Sequence, residues 1–148
     1  MNLYKFAENS VSIMHVKYHL ERCALSFNPP LFTYVDITEY SSKIVKNAET
    51  FEIWNENILI GLLAMYLNDP EFKDAFITNI SVDNDFQGLG LSKIMLDNAI
   101  NKAKKTGFKN VFLDVQSENK RALNLYNSRG FFIVEKKKSG FVKMTKKL

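Results

Sequence analysis

The sequence predicts one α/β (α+β) domain. Its core is a mixed sheet of about six to seven strands, antiparallel in the N-terminal part and with a parallel crossover later, flanked by helices. Three observations carry this expectation. Short segments alternate apolar and polar residues with period two, while others repeat every three to four residues. Two strong strand segments, 75–82 and 109–116, bracket a helical one at 91–103, the order of a β–α–β unit. At 148 residues, 46% of them hydrophobic and 24% charged, with no Gly/Ser linker and no repeat, the chain matches one core of ordinary composition.

Met1 to Ala7 suits a short first strand. Ser10 is the expected N-cap of a helix that carries Val11, Met14, Tyr18 and Leu25 inward. Phe27 to Tyr34, with Pro29-Pro30, breaks the pattern as a loop, and Asp36-Ile37-Thr38-Glu39 reads as a capping box opening a helix with Ile37, Tyr40, Ile44 and Val45 on one face. Thr50 to Trp54 and Ile58 to Leu67 form a hairpin about the polar tip Asn55-Glu56-Asn57. Ala75 to Val82 is the next strand. The helix from Leu91 to Ala103 places Leu91, Ile94, Met95, Ala99 and Ala103 on one stripe, and Gly107 stops it. After the strand Lys109 to Gln116, Asn119 to Arg129 is a helix with Ala122, Leu125 and Tyr126 clustered and Gly130 beyond its end. Phe131 to Glu135 and Phe141 to Thr145 close the chain as a hairpin.

Composition excludes several classes. The longest apolar run, 58–67, is far short of the ~20 residues that span a bilayer. Met1 to Ala7 lacks the basic and apolar regions of a secretory signal, and Cys23 is the sole cysteine, so no internal disulfide or thiolate cluster forms; the cytoplasm is the expected compartment. The net charge of +4 is uneven, with 6 Lys/Arg against 10 Asp/Glu in residues 1–75 and 14 against 6 in 76–148. A basic half suits an anionic ligand and an acidic half a cationic one.

The most informative segment is Ile80-Ser81-Val82-Asp83-Asn84-Asp85-Phe86-Gln87-Gly88-Leu89-Gly90-Leu91-Ser92, where a strand enters a glycine-punctuated loop and then an amphipathic helix. The first amides of that helix have no partner within it and lie at its positive end, and Gly88 and Gly90 let a phosphate approach the backbone. No G-x-x-x-x-G-K-[ST] spacing occurs, and Lys93 stands where a dinucleotide-binding loop wants a third small residue, although Asp114 sits where a ribose-binding acid would follow.

These residues resemble the GNAT superfamily of acyl-CoA-dependent N-acyltransferases, clearly from Ala75 to Phe132 and in element order before that. The family's R/Q-x-x-G-x-G/A loop falls on Gln87, Gly90 and Ser92, with serine at a usual Gly/Ala position, and its N-x-x-A-x-x-x-Y-x-x-x-G-F block on Asn119, Ala122, Tyr126, Gly130 and Phe131. The resemblance implies a GNAT fold with a bulged strand at 77–82 splayed from a parallel neighbour at 111–116, acetyl-CoA as acyl donor, and no metal. It implies a diphosphate on the amides of Gln87, Gly88, Leu89, Gly90, Leu91 and Ser92, and a thioester carbonyl near the amides of Ile80, Ser81 and Val82. It also implies pantetheine contacts from Asn119 and Ala122, Tyr126 as general acid, and Asp114 as base. A homodimer is common among relatives.

Direct acyl transfer needs a neutral amine, a held oxyanion and a proton for the thiolate. Alternatives for the base are a water chain to Glu52 or no dedicated group, since Asn79 and Ser81 cannot serve as bases at neutral pH. Lys93, Lys120 and Arg121 are candidate phosphate partners. His15 and His19 share a helix face but lack the Glu and third ligand of a metal site, and either is a candidate for lining the acceptor cleft. Cys23 reads as a buried small hydrophobe. The expected acceptor is the primary amine of a small molecule or amino sugar, drawn to an acidic half with an aromatic loop. The alternatives are a protein N-terminus, a non-catalytic CoA-binding module, or a nucleic-acid-binding module using Lys136-Lys137-Lys138 and the C-terminal lysines; neither nucleic acid nor membrane is the expected partner.

Overall fold

The structure, a computed structural model, describes residues 4–27 and 29–148, so Met1 to Leu3 of the expected first strand and Asn28 of the aromatic loop lie outside it. Seven strands, β1 (Tyr4–Glu8), β2 (Glu49–Asn55), β3 (Ile58–Tyr66), β4 (Asp74–Val82), β5 (Asn110–Gln116), β6 (Phe132–Lys136) and β7 (Phe141–Lys147), form one sheet in the order β1-β2-β3-β4-β5-β7-β6. Every neighbouring pair is antiparallel except β4 and β5. Between those two runs α3 (Leu91–Lys105), whose crossover makes the parallel pair possible.

Two apolar layers cover the sheet. On one face α1 (Ile13–Cys23) and α2 (Ile37–Asn47) bury Val16, Leu20 and Ile44 against Leu59, Leu62 and Ala64. On the other, Leu91, Met95, Leu96, Ala99 and Ala103 of α3 meet Phe51, Ile53, Leu63 and Ile77, joined by Tyr126 of α4 (Lys120–Ser128). The β2–β3 turn has Glu56 at φ 50° and Asn57 at φ 70°, the left-handed pair that a two-residue hairpin of the right twist requires.

Three local expectations are corrected. The N-cap of α1 is Ser12, whose hydroxyl accepts from the His15 amide while His15 Nδ1 accepts from the Ser12 amide; Ser10 instead donates through its amide and hydroxyl to Glu52 Oε1 at 2.6 and 2.7 Å. The buried stripe of α1 is Val16, His19, Leu20 and Cys23, leaving Met14, Tyr18 and Leu25 exposed. A histidine bonded at both ring nitrogens holds a core position that hydrophobic periodicity assigns to apolar residues. In α3 Leu96 is buried and Ile94 is exposed, because the stripe runs through Leu91, Met95, Ala99 and Ala103 at intervals of four.

The feature that positions the site is in β4. Ala64 pairs with Asn79 but Met65 with Ile77, so Thr78 is an extra residue, a β-bulge. Pairing of β4 with β5 runs from Asp74–Asn110 to Ile77–Leu113 and ends there. The Tyr40 hydroxyl of α2 donates to the Thr78 carbonyl at 2.7 Å, satisfying a polar group that the parting strands release.

Leu63 is fully buried between β3 and α3. Leu63→Ala is expected to cost about 3 kcal/mol in urea unfolding; an unchanged midpoint would mean that this layer is not what holds α3 to the sheet.

Candidate active site

Beyond the Ile77–Leu113 pair the two parallel strands diverge and a cleft of about 970 Å³ opens between them. Its walls are Thr78 to Val82 of β4 and Leu113 to Gln116 of β5. The glycine loop and the start of α3 stand at one end, α4 runs alongside, and the α1–α2 connection lies at the other end.

The glycine-loop end is built for an anion. Gly88 at φ 82° and Gly90 at φ 77° occupy the left-handed region, and Gly90 caps α3 without a side chain. Among the described residues, the amides of Gly88 through Lys93 donate to no protein acceptor; the first helical bond is Ile94 N–H to the Gly90 carbonyl at 3.4 Å. Gln87 braces the loop from within, donating to the Val82 carbonyl and to Asn84 Oδ1 at 3.2 Å each. Lys93, Arg121, Gly90, Leu91 and Ser92 line the cleft, whereas Lys120 does not. Leu89, expected to offer its amide there, is exposed and does not line the cleft. A row of undonated amides with two cations beside it fits the diphosphate of a coenzyme.

Asn119 caps α4, its Oδ1 accepting from the Ala122 amide at 3.1 Å, so its NH2 and one further acceptor position on Oδ1 remain for a ligand. Asn119, Ala122 and Tyr126 all line the cleft, as do Ile80, Ser81 and Val82 opposite. Tyr126 is 5% exposed, packs at 5.8 Å on Phe131, and its hydroxyl bonds to no described residue. Burial pushes this phenol well above its ordinary pKa, so it carries its proton at neutral pH.

Asp114 lies one residue past the point where the strands part. Its Oδ2 accepts from Lys137 Nζ at 2.9 Å, and its Oδ1 is buried without a partner. The hydrogen bond to Asp114 raises the Lys137 pKa. Lys137, from the β6–β7 turn, is a site residue the sequence reading missed: it appeared as one of three consecutive lysines with no local sign of a partner 23 residues away.

The remaining candidates lie elsewhere. Glu52 faces Ser10 and does not line the cleft. Neither histidine lines it: His15 caps α1 and packs at 4.8 Å on Trp54, and His19 is fully buried. Cys23 borders the cleft at 1% exposure, and burial pushes its thiol up to about 12, leaving it inert. Among the described residues no group of three or more His, Cys, Asp or Glu is placed to hold a metal ion, and no helix is long and apolar enough to cross a membrane.

The sequence profile of the Acetyltransferase (GNAT) family matches residues 16–131. The chain belongs to the GNAT acetyltransferase family. Among its relatives is the ribosomal protein bS18-alanine N-acetyltransferase of Escherichia coli K12, 38% identical over 70 residues, 47% of each chain. Another is the probable N-acetyltransferase san of Drosophila melanogaster, 28% identical over 106 residues, 70% of this chain and 54% of that one. The match thus spans about half the length of these curated relatives. The solved Escherichia coli enzyme superposes with a TM-score of 0.76 at 20% identity, covering 97% of this chain and 94% of that one. The PaiA N-acetyltransferase of Thermoplasma acidophilum, solved with coenzyme A, gives 0.72 at 16% identity over 97% and 99%. At those identities the likeness is one of fold.

In this GNAT chain the other end of the cleft is aromatic. Phe27, Leu31, Tyr34, Tyr40, Phe76 and Phe141 line it, and Tyr34 meets Phe141 edge-on at 6.2 Å, so the α1–α2 connection touches the terminal hairpin across the opening. None of the ten carboxylates of residues 1–75 is in the lining; Asp114 is its one acid. The pocket for a cation expected from the acidic half is therefore not built, because those acids lie outside the cleft.

Two outcomes follow for GNAT chemistry and for stability. Gly90→Val, which forces a β-branched residue to positive φ, is expected to weaken acetyl-CoA binding at least about tenfold in calorimetry; unchanged affinity in a folded variant would remove the loop from coenzyme binding. His19, held down to about 4 chiefly by burial, stays neutral when folded, whereas the unfolded chain takes up a proton near 6.5. Stability is then complete above pH 6.5 and falls as pH drops from 6.5 towards 4, by at most ~3 kcal/mol. Urea midpoints across that range should decline less in His19→Gln; an equal decline would assign the acid sensitivity to other groups.

Proposed function

We propose that this GNAT chain transfers the acetyl group of acetyl-CoA to a primary amine by direct attack in a ternary complex. The observation that carries the reading is the pairing, in one cleft, of undonated amides at Gly88 to Lys93 with an unbonded, proton-retaining hydroxyl at Tyr126. Acetyl-CoA supplies the activated acyl group as a thioester. The amides of the glycine loop hold its diphosphate, with Lys93 and Arg121 beside them, and the unpaired edges of β4 and β5 take the pantetheine arm as an added strand.

The amine nitrogen forms a bond to the thioester carbon, the carbon–sulfur bond breaks, and the Tyr126 hydroxyl donates its proton to the departing thiolate. Main-chain N–H groups at Ile80 to Val82 hold the carbonyl oxygen as it gains charge. The free Oδ1 of Asp114 supports its assignment as acceptor of the amine's proton, while the Lys137 hydrogen bond to Oδ2 orients the carboxylate.

The aromatic lining favours an acceptor whose amine is borne on an apolar body over a polycationic amino sugar. A small amine of that kind is our first reading. A peptide N-terminus beginning with an apolar residue is the second, favoured by the alanine N-acetyltransferase among the relatives. The nucleic-acid reading loses support because Lys137, in the middle of the basic turn, is engaged with Asp114.

Continuous thiol detection with acetyl-CoA against amines and short peptides tests the reading. Tyr126→Phe should lower kcat about a hundredfold while the KM for acetyl-CoA moves less than threefold; unchanged turnover would remove the general-acid role.

A further inference from the structure

Beneath β4, on the face covered by α1, runs a buried polar chain that the acid–base assignments leave unused. His19 Nδ1 lies 3.0 Å from the Leu59 carbonyl, and its Nε2 lies 2.9 Å from Ser81 Oγ. Asn79 Nδ2 donates to the same Ser81 Oγ at 3.0 Å and to the Leu62 carbonyl at 3.2 Å. His19 is fully buried, Asn79 is 4% exposed, and Ser81 is 8% exposed in the cleft wall.

Hydrogen-bond accounting fixes every direction in this chain. A carbonyl only accepts, so the His19 proton is on Nδ1 and Nε2 is a bare acceptor. The Ser81 hydroxyl must therefore give its one hydrogen to His19. A hydroxyl oxygen accepts two bonds, and Asn79 fills one of them. Ser81 is left with a single free acceptor position and no donor. Burial chiefly keeps the ring neutral, aided by the charge of Arg22 of α1, which donates to the same Leu59 carbonyl at 2.7 Å, and opposed by Asp83, which pairs with Arg22 at 3.0 Å; the Cys23 thiol lies 3.7 Å from Nε2, longer than the 2.9 Å Ser81 contact.

We propose that Ser81 receives the acceptor amine: its oxygen, made acceptor-only by His19, takes one N–H of the incoming nitrogen and turns the lone pair towards the thioester carbonyl. This rests on the acetyl-transfer reading and adds to it. The second N–H of a primary amine meets Asp114 Oδ1, which is buried and unpartnered in the opposite wall of the same cleft. Two acceptors on two walls fit a nucleophile with two N–H bonds, and one with a single N–H leaves an acceptor unfilled. Ser81 touches the substrate and is a catalytic residue in that sense; His19 is a positioning residue acting through it.

The test uses the full chain, acetyl-CoA, and a set of primary amines with their N-methyl counterparts. Ser81→Ala is expected to lower kcat/KM for the best primary amine about tenfold, the loss of roughly one hydrogen bond, while the KM for acetyl-CoA changes less than twofold. Its preference for the primary over the N-methyl amine should shrink, and Ser81→Thr, which keeps the hydroxyl, should restore both. His19→Leu should reproduce the Ser81→Ala pattern, with thermal stabilisation by acetyl-CoA reporting its fold; should it fail to fold, the two Ser81 variants alone decide. If wild type acetylates amines and Ser81→Ala matches it in rate and preference, this inference is overturned and acetyl transfer stands. If wild type binds acetyl-CoA yet turns over no amine, the proposed function fails and this inference falls with it.

Discussion

Thr78 is one residue more than β3 can pair with, and the strand deals with it by bulging at the level where its parallel partner ends its ladder. Beyond that level two strands that would otherwise zip together present separate edges. Each such edge carries main-chain donors and acceptors that need partners. Tyr40 satisfies the Thr78 carbonyl, and the rest of the opening is left for a ligand. The glycine loop, α4 and the terminal hairpin are arranged around that parting, so the bulge sets where the cleft opens.

The two faces of the sheet contribute different things to the cleft. From the α3 and α4 face come helix-terminal amides, two cations and a phenol driven upward in pKa by burial. From the α1 and α2 face come aromatic walls and the polar chain through His19, Ser81 and Asn79. The two ends of the cleft thus differ in character, one lined by helix-terminal amides and cations and the other by aromatic and neutral polar groups. The ion pair between Lys137 and Asp114 ties the acid of β5 to the β6–β7 turn at the edge of the cleft.

Burial of polar groups in this fold follows one rule. His19, Asn79, Ser81 and Thr145 lie in the interior hydrogen-bonded to main-chain carbonyls or to one another. Glu52 Oε2, Asn55 Oδ1, Tyr66 Oη and Asp114 Oδ1 depart from that rule among the described residues, and of these four residues only Asp114 lines the cleft. An unsatisfied oxygen at the edge of an open site is where a ligand's donor fits, whereas the same atom deep under a helix is only a cost in stability.

Local chemistry determined much of this protein from its sequence: the strand-to-helix loop with Gly88 and Gly90, the hairpin about the tip Asn55-Glu56-Asn57 and the element order are all written in neighbouring residues. Those features depend on backbone preferences and on bonds spanning four residues or fewer, which a linear reading sees directly. The buried face of α1, the pairing of Asp114 with Lys137, the withdrawal of the N-terminal acids from the cleft and the His19–Ser81 contact were decided only by tertiary structure. Each joins residues between 17 and 62 positions apart or depends on which way a whole surface faces, and a polar side chain becomes a core residue only when distant partners exist to bond it.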